Sequence, residues 1–191
     1  ILSMSLQPSK NGGLTAVTAG ILVQDTWNLT VPIGYEIGQM VLTFKASEGA
    51  TVTLGATSNE VVSNETKIDA SKLFYLTVTA ENGQKRLYYV DVRNGVAAFD
   101  AKVLKFMKDY DLPGMSVSVA DKGKLVYSRG YGYADRENRE RMDRGHMLRL
   151  ASVSKTFCSM AIQRLIDEGK LSLTDKPFAD GGLLAEDYPE I

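Results

Sequence analysis

The chain has 191 residues, 44% of them hydrophobic and 24% charged, with a formal net charge of -1. That composition is ordinary for a globular protein of one or two domains, and the balanced charge argues against nucleic acid or an acidic membrane surface as a partner held by bulk electrostatics. The longest apolar runs are far too short to span a bilayer as a helix, and a single cysteine, Cys158, beside a single histidine, His146, excludes an internal disulfide framework and speaks against a zinc centre.

Cys158 reads as a small buried residue on a helix rather than a nucleophile. Any Ser-His-Asp triad would have to use His146. The chain opens on Ile1 rather than Met, which is compatible with a leader or a membrane tether removed from in front of it.

The first half reads as strands. Ser3-Met4-Ser5-Leu6 is a candidate, followed by residues 28–31, which end at Pro32, and by residues 40–46, rich in β formers. Thr51-Val52-Thr53-Leu54 alternates cleanly. Residues 74–79 and 86–92 flank Glu81-Asn82-Gly83-Gln84, where Asn-Gly predicts a hairpin turn with both central residues at positive φ. Several short strands at close spacing, without a helical stripe, predict a β-sandwich over residues 1–94. Trp27 is expected in its core.

Ala50-Thr51-Val52-Thr53-Leu54 and Tyr75-Leu76-Thr77-Val78-Thr79-Ala80-Glu81-Asn82-Gly83-Gln84-Lys85-Arg86-Leu87-Tyr88-Tyr89-Val90-Asp91-Val92 resemble the immunoglobulin-like modules of surface and periplasmic lipoproteins in some Gram-negative bacteria. With no aromatic cluster or charge pattern to mark a site, the module reads as a spacer in preference to a glycan- or partner-binding domain. Asn28-Leu29-Thr30 and Asn64-Glu65-Thr66 match glycosylation sequons, which a bacterial origin would leave idle.

Near Asn94-Gly95 the period changes. Phe99, Val103, Phe106, Met107 and Tyr110 follow a helical stripe, which Asp111-Leu112-Pro113-Gly114 ends. Residues 115–119 alternate as a strand, Asp121-Lys122-Gly123-Lys124 turns the chain, and residues 125–129 return. Gly130-Tyr131-Gly132-Tyr133 lacks the third glycine of a dinucleotide fingerprint and reads as a strand end. The mixed-sign run from Arg136 to Arg144 reads as a solvated loop. A second domain is therefore expected over residues 95–191, with Asp180-Gly181-Gly182 as a loop near its end.

Ser152-Val153-Ser154-Lys155 carries the chemistry. Residues i and i+3 share a helix face, so Lys155 can accept the proton of an otherwise weak Ser152 nucleophile. The bare motif is worth about one chance match in a chain with this many serines and lysines. Phe157, Met160, Ala161 and Leu165 form a helical stripe ending at Gly169, a natural C′ residue. Ser152 therefore sits in the first turn of a helix whose apolar face is expected to be buried. There the free N–H groups favour developing negative charge. On spacing alone Ser152 serves equally well as an N-cap.

The flanking segments decide between these. Leu112-Pro113-Gly114-Met115-Ser116-Val117-Ser118-Val119, Gly130-Tyr131-Gly132-Tyr133-Ala134-Asp135, Leu148-Arg149-Leu150-Ala151-Ser152-Val153-Ser154-Lys155-Thr156-Phe157 and Leu165-Ile166-Asp167-Glu168-Gly169-Lys170-Leu171-Ser172-Leu173-Thr174-Asp175 together resemble the opening of the serine β-lactamase and penicillin-binding-protein superfamily, in the branch related to class C β-lactamases. The resemblance implies an incomplete α/β (α+β) hydrolase domain following the all-β sandwich. It makes Ser152 the nucleophile, Lys155 the general base and the Ser152 N–H one oxyanion donor. It implies β-lactam, D-amino-acid peptide or ester substrates, no metal or organic cofactor, and export to the bacterial periplasm or cell surface. The family's Tyr-x-Asn and Lys-Thr-Gly or His-x-Gly motifs do not occur in this sequence. The expectation is an N-terminal fragment with little activity alone; the alternative is a non-catalytic surface module with a vestigial hydrolase segment.

Overall fold

The computed structural model describes residues 1–178 and 181–188, so Asp180 of the expected loop lies outside the described residues. The chain divides into two compact units, Ile1–His146 and Met147–Ile191. The expected boundary near residue 95 falls inside the first unit.

The first unit opens with nine strands, β1 (Ser3–Leu6), β2 (Thr18–Ala19), β3 (Ile21–Val23), β4 (Thr26–Val31), β5 (Met40–Lys45), β6 (Thr51–Leu54), β7 (Lys67–Ile68), β8 (Phe74–Thr79) and β9 (Lys85–Asn94). They build a four-stranded sheet, β2-β1-β5-β7, and a five-stranded sheet, β3-β4-β9-β8-β6. The second sheet is mixed, because β4 runs parallel to β9 with Leu29 opposite Val92. One apolar core joins the sheets: Met4, Leu6, Met40 and Leu42 from the first pack with Trp27, Leu29, Val52, Leu76 and Val90 from the second. Leu6, Leu29, Leu76 and Val90 are wholly buried, each contributing about 1.5–3 kcal/mol.

Turn chemistry departs from expectation in an instructive way. At Asn82-Gly83 only Gly83 has positive φ, at 81°. The Gly83 N–H donates to the Ala80 carbonyl (2.9 Å) and the Ala80 N–H to the Gln84 carbonyl (2.9 Å). The loop therefore has three residues, with glycine in the left-handed position that closes it. The two-residue turn with both centres left-handed is Lys122-Gly123, at φ 48° and 75°.

After β9 come helix α1 (Ala97–Asp109), strands β10 (Gly114–Asp121), β11 (Lys124–Asp135) and β12 (Glu140–Arg141), the strands forming an antiparallel sheet in the order β10-β11-β12. A second apolar cluster holds this part to the sandwich: Val103, Leu104 and Met107 of α1 and Tyr131 of β11 pack with Val23 of β3. This explains why all six residues of β4 are buried. One face points into the sandwich core, while Thr26, Asn28 and Thr30 lie under the second layer, Thr26 Oγ1 sharing a 2.8 Å hydrogen bond with Tyr133 OH. A buried Asn28 also leaves its sequon no surface for modification.

Polar groups fix the docking. Asp100 of α1 is fully buried; it pairs with Arg129 and accepts hydroxyl hydrogen bonds from Tyr127 and Tyr131. Burial first, and then the bond to Asp100, raise both tyrosine pKa values, so both remain protonated donors. Asp91 of β9 pairs with Arg93 (2.8 Å) and with Arg141, and Arg93 Nη1 also donates to the Gly130 carbonyl (2.9 Å). Arg139 lies 4.2 Å from the Tyr89 ring centroid and pairs with Asp25 at 2.8 Å.

The charge run is thus no solvated loop throughout. Arg139 and Arg141 clamp it to the sandwich. Nor is Gly130-Tyr131-Gly132-Tyr133 a strand end: it lies within β11, with both tyrosines buried. A Cβ on Gly130 would overlap the Met142 backbone, and one on Gly132 the Pro113 carbonyl.

Gly95 controls the Asp100 pair, because a Cβ there would overlap both Arg129 Nη1 and Asp100 Oδ2. Gly95→Ala is expected to cost about 1–3 kcal/mol through overpacking. Asp100→Ala, which strands a buried guanidinium, is expected to cost about 3–5 kcal/mol. Urea unfolding of the two variants should rank them in that order.

Candidate active site

The second unit carries the Ser152 motif. A 3-10 turn, Ala151–Val153, leads into helix α2 (Ser154–Asp167). Ala151 sits at φ 45°, a left-handed conformation costly for a residue with a Cβ, and it immediately precedes Ser152. The helix stops by a Schellman motif: Gly169, at φ 69°, donates to Ile166 O (2.9 Å), and Lys170 donates to Leu165 O (2.9 Å). Arg164 pairs with Glu168 at 2.6 Å and Lys170 with the same carboxylate at 2.8 Å. The hydrogen bonds from Lys170 and Arg164 hold the Glu168 pKa below its ordinary value.

The structure separates the two roles that spacing leaves open for Ser152. The N-cap of α2 is Val153, and no side chain caps the helix. Instead, Ser152 Oγ accepts a hydrogen bond from Lys155 Nζ at 3.1 Å. The i,i+3 spacing thus brings the two residues together on one face, as expected. Ser152 also stands at the helix start, where backbone N–H groups and the macrodipole favour negative charge.

The surroundings differ from expectation. Every residue of α2 is exposed except Ile166, which is half-buried. Phe157, Met160 and Leu165 of the predicted buried stripe are therefore exposed, and so is Cys158. Period and capping specify the helix locally; they do not by themselves cover its apolar face. Lys155 is likewise exposed. A lysine becomes an effective base near neutrality when burial or neighbouring cations disfavour its ammonium form, and the contact given to Lys155 is one in which it donates.

His146 has both ring nitrogens engaged, Nε2 with Glu140 at 2.9 Å and Nδ1 with Asp143 at 3.1 Å. Among the described residues no group of three His, Cys, Asp or Glu side chains is placed to hold a metal ion. The left-handed Ala151 is the feature of the site that sequence reading missed, since alanine carries no turn signal.

Residues 99–180 match the family model described as Beta-lactamase. The mitochondrial serine beta-lactamase-like protein LACTB of Bos taurus is 46% identical over 61 residues, covering 32% of this chain and 11% of that protein. Esterase EstB of Burkholderia gladioli is 32% identical over 96 residues, covering 50% of this chain and 24% of the esterase. Protein flp of Staphylococcus aureus is 34% identical over 64 residues, 34% of this chain and 13% of that protein. The matched segments are thus a quarter or less of these relatives' lengths. The chain has homologues in the β-lactamase-like serine hydrolase family, with the family match lying from α1 onward.

The hydrogen bond to Glu140, followed by the charges of Asp143 and Glu140, raises the His146 pKa above its ordinary 6.5. The tether between His146 and these carboxylates is therefore complete below the unfolded pKa and is lost as pH rises through the raised folded pKa. NMR titration should give a midpoint above 6.5 that falls in Glu140→Gln.

Proposed function

We propose that this chain belongs to an exported bacterial serine hydrolase in which Ser152 is the acylated nucleophile and Lys155 its proton acceptor. The observation that carries the reading is the 3.1 Å contact between Lys155 Nζ and Ser152 Oγ, within the segment matched by the family model. With Lys155 neutral, Oγ attacks a substrate carbonyl carbon as its proton passes to Nζ. The oxyanion collapses, the leaving group departs with a proton, and an acyl-enzyme remains on Ser152. Water then attacks the ester and releases the acid. The Ser152 N–H would serve as one oxyanion donor.

Substrates in this reading are β-lactams, D-amino-acid peptides or small esters; relatives named as an esterase and as β-lactamase-like proteins support that range. The sandwich of residues 1–94 is read as an immunoglobulin-like spacer that carries the hydrolase part, residues 95–191, away from a periplasmic or cell-surface attachment. The 191 residues alone are expected to have little or no activity. Loss of one oxyanion donor typically costs 10²–10³ in rate, and an exposed lysine supports a smaller share of the 10²–10⁴ available from general-base catalysis.

A second reading, a non-catalytic surface module, is favoured by one observation. Both members of the Ser152 and Lys155 pair are exposed.

Mass spectrometry of the complete gene product treated with a serine-reactive phosphonate should find the adduct on Ser152. No adduct is expected in Ser152→Ala, and labelling in Lys155→Met should be slower by about 10²–10⁴. Labelling elsewhere, or none, favours the second reading. For the 191-residue chain, nitrocefin and p-nitrophenyl acetate hydrolysis should match the Ser152→Ala rate; serine-dependent turnover would overturn the claim of low activity.

A further inference from the structure

An asparagine followed by glycine can modify itself, because the backbone nitrogen of a residue without a Cβ can approach the asparagine amide carbon closely. The chain has three such pairs, Asn11-Gly12, Asn82-Gly83 and Asn94-Gly95, and the fold treats them differently. Asn11 is only 4% exposed. Its amide donates to the Val41 and Gln7 carbonyls at 2.9 and 3.2 Å, and its Oδ1 accepts from the Val41 N–H at 2.8 Å. The Asn94 amide donates to the Pro32 and Tyr35 carbonyls, both at 2.8 Å. The N–H of buried Gly95 is itself spent on the Val31 carbonyl at 2.9 Å. In both pairs the side chain reaches the glycine nitrogen only after several hydrogen bonds break.

Asn82-Gly83 is placed otherwise. It lies at the tip of the β8–β9 hairpin, where residues 81–84 are all exposed. The attacking nitrogen is held by one backbone hydrogen bond, from the Gly83 N–H to the Ala80 carbonyl at 2.9 Å, and local opening is least costly at such a loop tip. No atom lies within 4 Å of the place a Gly83 Cβ would take, so no neighbour obstructs ring closure. The Gln84 N–H donates to Asn82 Oδ1 at 3.1 Å. A donor therefore already stands at the oxygen on which negative charge develops during attack at Cγ.

We propose that Asn82-Gly83 is a self-modification site of this chain. The Gly83 nitrogen gives its proton to solvent and bonds to Asn82 Cγ. The Cγ–Nδ2 bond breaks, and the nitrogen takes a proton from solvent and leaves as ammonia, so that a cyclic succinimide remains. Water then adds to one of the two ring carbonyls and the bond from that carbon to the ring nitrogen breaks, giving aspartate or isoaspartate at position 82. Either product places a new carboxylate beside Glu81. Isoaspartate also lengthens the main chain by a methylene, in a loop whose length sets the hairpin register. The assignment is independent of whether Ser152 is catalytic, since every group it uses belongs to the hairpin.

The test incubates the 191-residue chain at mildly alkaline pH in heavy-oxygen water and follows its peptides by mass spectrometry. Asn82 should be converted roughly tenfold or more faster than Asn11 or Asn94, which must first break hydrogen bonds that the hairpin tip lacks. The new carboxylate should carry the heavy oxygen, and the rate should rise with pH, because the attacking nitrogen must lose its proton. In urea, where only the local sequence acts, the three rates should converge. Asn82→Gln, whose extra methylene disfavours ring closure, should lose conversion at position 82. Conversion of Asn11 or Asn94 as fast as Asn82 in the folded chain, an Asn82 that stays intact until urea is added, the same ranking in urea, or a rate independent of pH would each overturn the proposal. The comparison among the three pairs needs only the unmodified chain, so it decides even if the variant fails to fold.

Discussion

A buried carboxylate organises the junction between the two layers of the first unit. Asp100 comes from α1, its guanidinium partner Arg129 and its hydroxyl donors Tyr127 and Tyr131 from β11. Burying a charge is tolerable only when it is paired and hydrogen-bonded, so helix and hairpin have little freedom to shift against one another. Such a pair is weak evidence for net stability, because well-packed apolar residues could do as well. What it specifies is position. Gly95 keeps the space that the pair occupies, so the residue at which the sequence changes period is also the one that lets the layers close.

The same logic explains the arginines that follow. Arg93 reaches from β9 to the backbone of β11, Arg141 returns from β12 to Asp91, and Arg139 stacks on Tyr89 while pairing with Asp25. Guanidinium suits this work because its planar fork donates in several directions and stacks on rings. The sandwich is consequently packed against the helix and hairpin that follow it in the chain. Residues on both sides of position 95 share one compact unit, built of mixed sheets with a single long helix.

The Ser152 region is organised differently. The 3-10 turn, the left-handed Ala151 and the Schellman stop at Gly169 are local devices, and they suffice to bring Lys155 Nζ to Ser152 Oγ. They do not supply a dry environment. General-base chemistry by lysine depends on disfavoured charge, which comes from what packs around the helix rather than from the helix itself. Geometry of the pair and tuning of the pair are therefore separate properties of this site.

Sequence alone determined the elements whose signals are local: the strands around Thr51–Leu54 and Phe74–Thr79, helix α1, the Gly169 stop and the shared face of Ser152 and Lys155. Each follows from periodicity or from a glycine's access to positive φ, which depend only on neighbours in the chain. Tertiary structure decided the rest. Asn82-Gly83 became a three-residue loop because the β8 and β9 register set the turn, and Thr-Trp-Asn-Leu-Thr-Val was buried on both faces because α1 covers its polar side. The charge run became a clamp because Asp25 and Asp91, more than forty positions earlier in the sequence, lie beside it. Alternation and composition cannot report a partner so distant in sequence, and whether an apolar stripe such as that of α2 is covered depends on what packs against it.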